Sequence, residues 1–237
     1  VPLYNTCDST EEVLDHIYQE TPVAPVGQQV IYSDLGFILL YHIIEIVTKQ
    51  AYQDFMEENF FKPLEMTETG FQPTFPDNRY AATEYSDDLG DYKRGIVHDE
   101  NTEIMGGISG HAGLFSTVDD LHRFAMMIEH DGTYNDKQIL SPAVLDLARK
   151  NYTPFSEYYR GLGWALKSPA YASCGDLFSD ASFGHTGFTG TSIWFDPEIQ
   201  LHVILLTNRV YFGRQWDMAS VRPRLHNLIR AHLSAHQ

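Results

Sequence analysis

The stretch from Ser33 to Lys49 constrains the fold more than any other. Leu35, Phe37, Ile38, Leu39, Leu40, Ile43, Ile44, Ile46 and Val47 follow one another at spacings that cover most of a helix's circumference. A helix apolar on nearly every side needs neighbours on every side, so it is expected to lie buried at the centre of its domain. Tyr41, His42 and Glu45 interrupt the run, and it is too short to span a bilayer, so no membrane-crossing helix is expected. With 237 residues, 43% of them hydrophobic, the chain has enough apolar material to build a core around such a helix.

Helical patterning fills residues 1–150. Val13, Leu14, Ile17 and Tyr18 place a short helix over 10–21, capped by Ser9 or Thr10 and ended by Pro22, Pro25 and Gly27. Another helix follows the apolar one over about 51–61, with Pro63 closing it. Helices return at Val118–Ile128 and after Ser141-Pro142, where the proline suits a first turn. Residues 67–115, rich in Gly, Asp, Thr and Tyr, lack sustained periodicity; so long an irregular stretch in a compact domain points to a functional segment. Residues 151–237 change character. Trp164–Lys167, Ser182–Phe188, Ser192–Phe195 and Leu201–Thr207 read as short strands, with Asp196-Pro197-Glu198 turning the last pair. A closing helix from about Val221 presents Leu225, Leu228, Ile229 and Leu233 on one face. The order predicts an α+β fold, with a mostly helical part at 1–150 and an antiparallel sheet with its helix at 151–237.

Acidic residues outnumber basic ones 32 to 16, for a net charge of −16. A field of that sign repels phosphate backbones and anionic lipid, so neither nucleic acid nor a membrane surface is an expected partner. Cys7 and Cys174 make neither a disulfide framework nor a metal-ligand pair.

Three short segments draw attention. Tyr32-Ser33-Asp34 reads locally as the cap of the apolar helix, but it also sets a phenol at a helix N-terminus, where the dipole favours phenolate and permits general-base work. Gly184-His185-Thr186-Gly187-Phe188-Thr189-Gly190 is a polar strand end between glycines, which lets a substrate approach the backbone. Gly113-Leu114-Phe115-Ser116-Thr117-Val118-Asp119-Asp120-Leu121 reads as a glycine turn running into a capped helix.

In this order and spacing, the three together resemble the serine β-lactamase and penicillin-binding-protein family, in its class C β-lactamase, D-Ala-D-Ala carboxypeptidase and esterase branch. Tyr32-Ser33-Asp34 is similar to that branch's Tyr-x-Asn motif, and His185-Thr186-Gly187 to its Lys-Thr-Gly motif in a His-Thr-Gly form. The run Gly113–Leu121 is similar to its Gly-Leu-x-Ser-Thr-x-x-Asp-Leu segment, and the likeness extends from about Pro25 to Arg209. The resemblance implies a three-layer α/β/α sandwich with a helical subdomain. It implies an acyl-enzyme chemistry with no metal or organic cofactor, and export to a bacterial periplasm or exterior. Substrates would be D-Ala-D-Ala peptides, small esters or β-lactams. By residue, it gives Tyr32 a proton-transfer role and Asp34 a contact to substrate amide or lysine. His185 would bind a substrate carboxylate or orient Tyr32, Thr186 would hydrogen-bond the same carboxylate, and the N–H of Phe188, beyond Gly187, would form half of an oxyanion hole.

Departures from the pattern shape that reading. Aspartate at 34 favours an ion pair with a lysine over amide recognition. Histidine at 185 ties carboxylate binding to pH, and both changes tilt the activity toward peptidase or esterase. The family's nucleophile lies in Ser-x-x-Lys, yet Ile46, Asn59, Gly90, Tyr134, Leu147 and Trp164 stand three places before the six lysines. The expectation is that the chain is the C-terminal part of a longer enzyme. The nucleophile would then lie upstream of Val1 in a missing N-terminal segment, and the chain alone would be inactive. Two alternatives stand beside this: a non-catalytic binding remnant of the same fold, and a metal-dependent hydrolase using His98, Asp99 and Glu100, with Asn101 and His111 nearby. Adjacent side chains point in different directions and rarely chelate one ion, so a loop-pinning role is preferred for that cluster.

Overall fold

The computed structural model describes residues 1–170 and 172–235. In chain order the helices are α1 (Thr10–Gln19), α2 (Asp34–Thr48), α3 (Tyr52–Met56), α4 (Glu100–Ile104), α5 (Val118–Glu129), α6 (Pro142–Arg149) and α7 (Val221–Ser234). The strands are β1 (Gly70–Phe71), β2 (Tyr85–Ser86), β3 (Asp91–Tyr92), β4 (Leu114–Phe115), β5 (Thr133–Tyr134), β6 (Lys137–Gln138), β7 (Ala165–Leu166), β8 (Phe183–Thr186), β9 (Ser192–Asp196) and β10 (Leu201–Leu205). Two units divide them: Val1–Pro25 with Ile31–Arg123, and Val26–Val30 with Phe124–Gln237. No described helix is long and apolar enough to cross a membrane.

In the first unit, local chemistry sets the helix starts. Ser9 Oγ accepts from the amide of Glu12 at 3.2 Å, and the Glu12 carboxylate reaches back to the amide of Asp8 at 2.8 Å, so two otherwise unpaired donors are satisfied where α1 begins. The core of this unit gathers Val13, Leu14 and Ile17 of α1 with Leu3, Cys7, Ile38, Tyr41 and Met105. Only one stripe of α2 enters it. Ile38 and Tyr41 are buried, but Leu40 is 53% exposed, Val47 is 74% exposed, and Ile43 and Ile46 are open to solvent as well. The expectation of a helix buried all round is therefore corrected: α1 and Met105 cover one side of α2, and the opposite apolar side has no layer against it.

The irregular stretch resolves into very short elements. β1 pairs with β4, Gly70 opposite Phe115, and β2 with β3 in a tight hairpin. Asp120, 1% exposed on α5, fastens this segment: its carboxylate accepts from the amide of Glu68 at 2.8 Å and the hydroxyl of Thr69 at 2.7 Å, and pairs with Arg123. Thr117 Oγ1 accepts from the Asp120 amide and so caps the same helix. The Ser116-Thr117-x-x-Asp120 run is thus a structural clasp.

The second unit is built on a four-stranded antiparallel sheet in the order β10-β9-β8-β7. Register sets Phe183 opposite Phe195, His185 opposite Ile193, and Thr186 opposite Ser192. Alternation then gives two faces. On one, the rings of Phe183 and Phe195 stack at 4.9 Å with Trp164 edge-on to both. On the other, Trp194 and Val203 pack with Cys174, Phe178 and Ile229 of α7. The predicted apolar stripe of α7 needs correction. Its buried residues are Arg222 and His226, while Leu228 faces solvent. Both polar residues are admitted because backbone carbonyls meet them: His226 Nδ1 donates to Ser173 O at 2.7 Å, and Arg222 donates to two carbonyls of the β8–β9 turn.

Candidate active site

Tyr32 stands two residues before α2 and is 70% exposed. Asp34 opens that helix, where its carboxylate complements the positive end of the dipole. Opposite it lies a polar cluster that local sequence alone does not join to it. Carboxylate oxygens of Asp34 and Asp99 and a ring nitrogen of His111 lie within 4.8 Å of one another. Asp99 caps α4 by accepting from the Thr102 amide at 2.7 Å, and the same oxygen lies 2.9 Å from His111 Nε2. Ser109 Oγ, at 2.9 Å from Nδ1, holds the other side of the ring, with Thr102 Oγ1 at 3.2 Å from Nε2. Burial pushes the Asp99 carboxyl up, but the hydrogen bonds from His111 and the Thr102 amide outweigh it and hold the group at about 2.

Gly110 explains why the loop can bring His111 here. A Cβ at that position would lie 2.3 Å from the carbonyl oxygen of Phe37 and 3.1 Å from Cβ of Tyr41, so only glycine lets the loop lie against the backbone of α2.

The sequence-level metal trio does not converge. His98 Nε2 pairs with Glu84 Oε2 at 3.0 Å, Asp99 turns to His111, and Glu100 begins α4. Asp34, Asp99 and His111 are the group among the described residues whose donor atoms could meet one metal ion. The hydrogen bonds between Asp99, His111, Ser109 and Thr102 account for the pair at its centre without an ion.

In the second unit, His185 and Thr186 end β8 as the sequence implies. His185 Nδ1 donates to the Thr186 carbonyl at 2.9 Å, which leaves Nε2 as the acceptor nitrogen of a neutral ring. Burial lowers the pKa of His185, with the Thr186 carbonyl opposing and Arg160 reinforcing that shift. At neutral pH the ring is therefore a hydrogen-bonding group more than a cation.

Beyond Thr186 the backbone turns sharply through Gly187, Phe188, Thr189 and Gly190. The Gly187 amide donates to Thr191 O at 2.8 Å, and the Gly190 amide donates to Gly187 O at 3.1 Å. Gly190 takes φ +118°, and Thr207 Oγ1 donates to its carbonyl at 2.7 Å. Two arginines hold the rest. Arg222 Nη2 donates to Gly187 O at 3.0 Å and to Thr191 O at 2.9 Å. Arg209 donates from Nε to Phe188 O at 2.5 Å, and its guanidinium carbon lies 4.2 Å from the centre of the Phe188 ring. Sequence reading singled out neither arginine. Asp99 and His111 were visible as polar residues, but nothing in the sequence connected them to Asp34.

Comparison with known proteins sets this geometry among relatives. A family model described as Beta-lactamase matches residues 2–226. A putative D-alanyl-D-alanine carboxypeptidase of Escherichia coli O157:H7 is 34% identical over 203 residues, 77% of this chain and 46% of that protein. An N-acetylmuramyl-L-alanine amidase of Bacillus subtilis is 32% identical over 201 residues, 77% of this chain and 45% of that protein. The chain thus spans less than half the length of the curated relatives it matches. Among solved structures, D-amino acid amidase from Ochrobactrum anthropi superposes with a TM-score of 0.70 at 18% identity, covering 100% of this chain and 68% of that one. A penicillin-binding protein homologue from Pyrococcus abyssi gives 0.66 at 21% identity, covering 97% of this chain and 48% of that one.

Proposed function

Because the chain belongs to the beta-lactamase family and carries its fold, we propose that the complete protein is a serine acyl hydrolase of the penicillin-recognising type. The nucleophilic serine and its lysine lie in a segment that precedes Val1. The serine oxygen attacks a substrate acyl carbonyl, and its one proton passes to the Tyr32 phenolate, which the neighbouring lysine ammonium stabilises. The oxygen of the tetrahedral intermediate accepts hydrogen bonds from the Phe188 N–H and from the nucleophile's own N–H. As the leaving amine or alcohol departs it takes a proton back, and water then resolves the acyl-enzyme. Asp34 pairs with the lysine ammonium. Thr186 donates to a substrate carboxylate, and the neutral His185 ring bonds substrate at the same strand end.

The observation that carries this reading is the turn after His185-Thr186-Gly187. Its carbonyls are tied to Arg222 and Arg209, so the peptide between Gly187 and Phe188 is fixed before substrate arrives. Neutral His185 favours amide and ester substrates over those that must anchor a carboxylate through charge. The names of the two amidases among the relatives fit that range, and the terminal carboxylate of a carboxypeptidase substrate would fall to Thr186.

The test is covalent labelling by a fluorescent penicillin with intact-mass analysis, on this chain and on the full reading frame, with ester turnover alongside. Labelling or turnover by the longer protein alone supports the reading. A longer protein that neither labels nor cleaves esters is a binding remnant, and the proposal fails.

A further inference from the structure

We propose that Arg222 is a positioning residue for the oxyanion-binding N–H of Phe188, an inference that rests on the acyl-hydrolase reading above. Gly187 C=O and Phe188 N–H are the two ends of one peptide unit. A peptide is planar and trans, so fixing the direction of its oxygen fixes the direction of its hydrogen on the opposite side. Arg222 Nη2 holds that oxygen at 3.0 Å.

The restraint is stronger than one bond. The same nitrogen also donates to Thr191 O at 2.9 Å, and Thr191 O already accepts from the Gly187 amide at 2.8 Å. One guanidinium nitrogen therefore ties the start of the turn to its end. Gly187 O accepts a second bond, from the Gly190 amide, so its position is set from two directions. On the far side Arg209 fixes the next carbonyl, that of Phe188. The peptide carrying the Phe188 N–H cannot rotate without breaking bonds at both neighbours.

Charge adds to geometry. Arg222 is 8% exposed, so its positive charge acts on the Gly187 carbonyl with little screening by water. A carbonyl that accepts from a cation draws electron density from its own amide nitrogen, and the N–H at the other end becomes a stronger donor. The effect grows as negative charge develops on a bound oxygen, so it favours the tetrahedral state over bound substrate. Burial depresses the pKa of His226, four residues along α7, with nearby Arg222 contributing, so that ring adds no charge beside the guanidinium, and Arg230, a further turn along, faces Asp196.

The experiment compares Arg222→Gln, Arg222→Lys and the exposed control Arg224→Gln in the complete protein. Steady-state hydrolysis of p-nitrophenyl acetate is read with hydrogen exchange of the 187–191 backbone and the thermal midpoint. Arg222→Gln is expected to lower kcat by about 10- to 100-fold, less than outright loss of an oxyanion donor, with KM changed less than about threefold. Exchange in the turn rises while exchange in β9 and β10 stays. Arg222→Lys keeps the fold and recovers part of kcat, because the ammonium keeps the charge but its shorter side chain does not place one nitrogen between both carbonyls as Nη2 is placed. Arg224→Gln matches the wild type. A folded Arg222→Lys variant with full kcat and unchanged exchange in the turn overturns the inference. So does an Arg222→Gln variant whose KM rises while kcat holds. If the wild-type complete protein shows no acyl transfer, the functional reading has failed. The exchange measurement then stands alone, and an unprotected turn in Arg222→Gln still supports the positioning role while an unchanged one overturns it.

Discussion

Around Asp34 the chain links polar side chains to one another, whereas around Gly187 it ties backbone carbonyls to guanidinium groups. In the first region Asp99, His111, Ser109 and Thr102 hold one another across two to twelve residues of loop and short helix. In the second, Arg222 and Arg209 reach carbonyls 31 to 35 residues and 21 residues away in sequence, and the atoms they fix belong to the main chain. A side-chain lattice can be retuned by pH and by single substitutions to an isostere. A backbone turn clamped by arginine keeps its geometry over the whole working range of pH. The difference matches the roles proposed: proton traffic near Tyr32, and an unchanging electrostatic template at Phe188.

The largest effect expected from this division is at Tyr32. Tyr32→Phe removes the proton-carrying atom and leaves the ring, so acyl transfer by the complete protein should fall by about two orders of magnitude or more. The thermal midpoint should hardly move, because the ring is 70% exposed. Stopped-flow acylation with a chromogenic ester checks it. Turnover equal to wild type would take the proton-transfer role from Tyr32 and leave the first region without its chemistry.

Next in size is the acid response. The Asp99 carboxyl sits at about 2 in the fold against an ordinary 3.8, with burial opposing the shift and the His111 and Thr102 bonds producing it. A depressed carboxylate contributes stability that is complete above its unfolded value and is lost as pH falls from about 4 toward 2. Allowing for solvent at a partly exposed side chain, the contribution is about 1–2 kcal/mol. Wild type should therefore exceed Asp99→Asn in unfolding free energy at pH 6, with the gap closing below pH 4. Urea unfolding at a series of pH values measures it. A gap that stays constant from pH 6 to pH 2 would show that the Asp99–His111 link is neutral in character and would blur the contrast with the arginine-held turn.

Sequence alone made a good part of this molecule legible, for identifiable reasons. Helices α1, α5 and α6 begin where the side chains of Ser9, Thr117 and Ser141 accept from the first turn, because a short acceptor before an apolar period marks a helix start; α2 begins after Ser33, whose side chain makes no such bond. Strands β8–β10 emerged from alternation, and three ordered motifs pointed to the family. The strands β1–β4 did not emerge, since pieces of two residues carry no period and β1 finds β4 across more than forty residues. Proximity of Asp34, Asp99 and His111 is likewise a tertiary fact that no spacing encodes. Arg222 was hidden by the opposite error: on α7 the apolar stripe drew the eye, while the residue that is buried is a cation meeting two carbonyls.

The smallest expected effect is at Leu40 of α2, where pattern and burial parted, and it is measured against a large one at Ile38 on the same helix. Ile38 is fully buried in the first unit's core, so Ile38→Ala opens a cavity and should cost about 2–5 kcal/mol. Leu40, two positions on, is as apolar but points to solvent, and Leu40→Gln should change the stability of this chain by no more than about 0.5 kcal/mol. Hydropathy ranks the two alike; only the layer of α1 and Met105 against one side of α2 separates them. Paired urea titrations of both variants decide it. A loss at Leu40 comparable to that at Ile38 would mean that the outer face is packed in solution, and it would restore the fully buried helix that the sequence pattern describes.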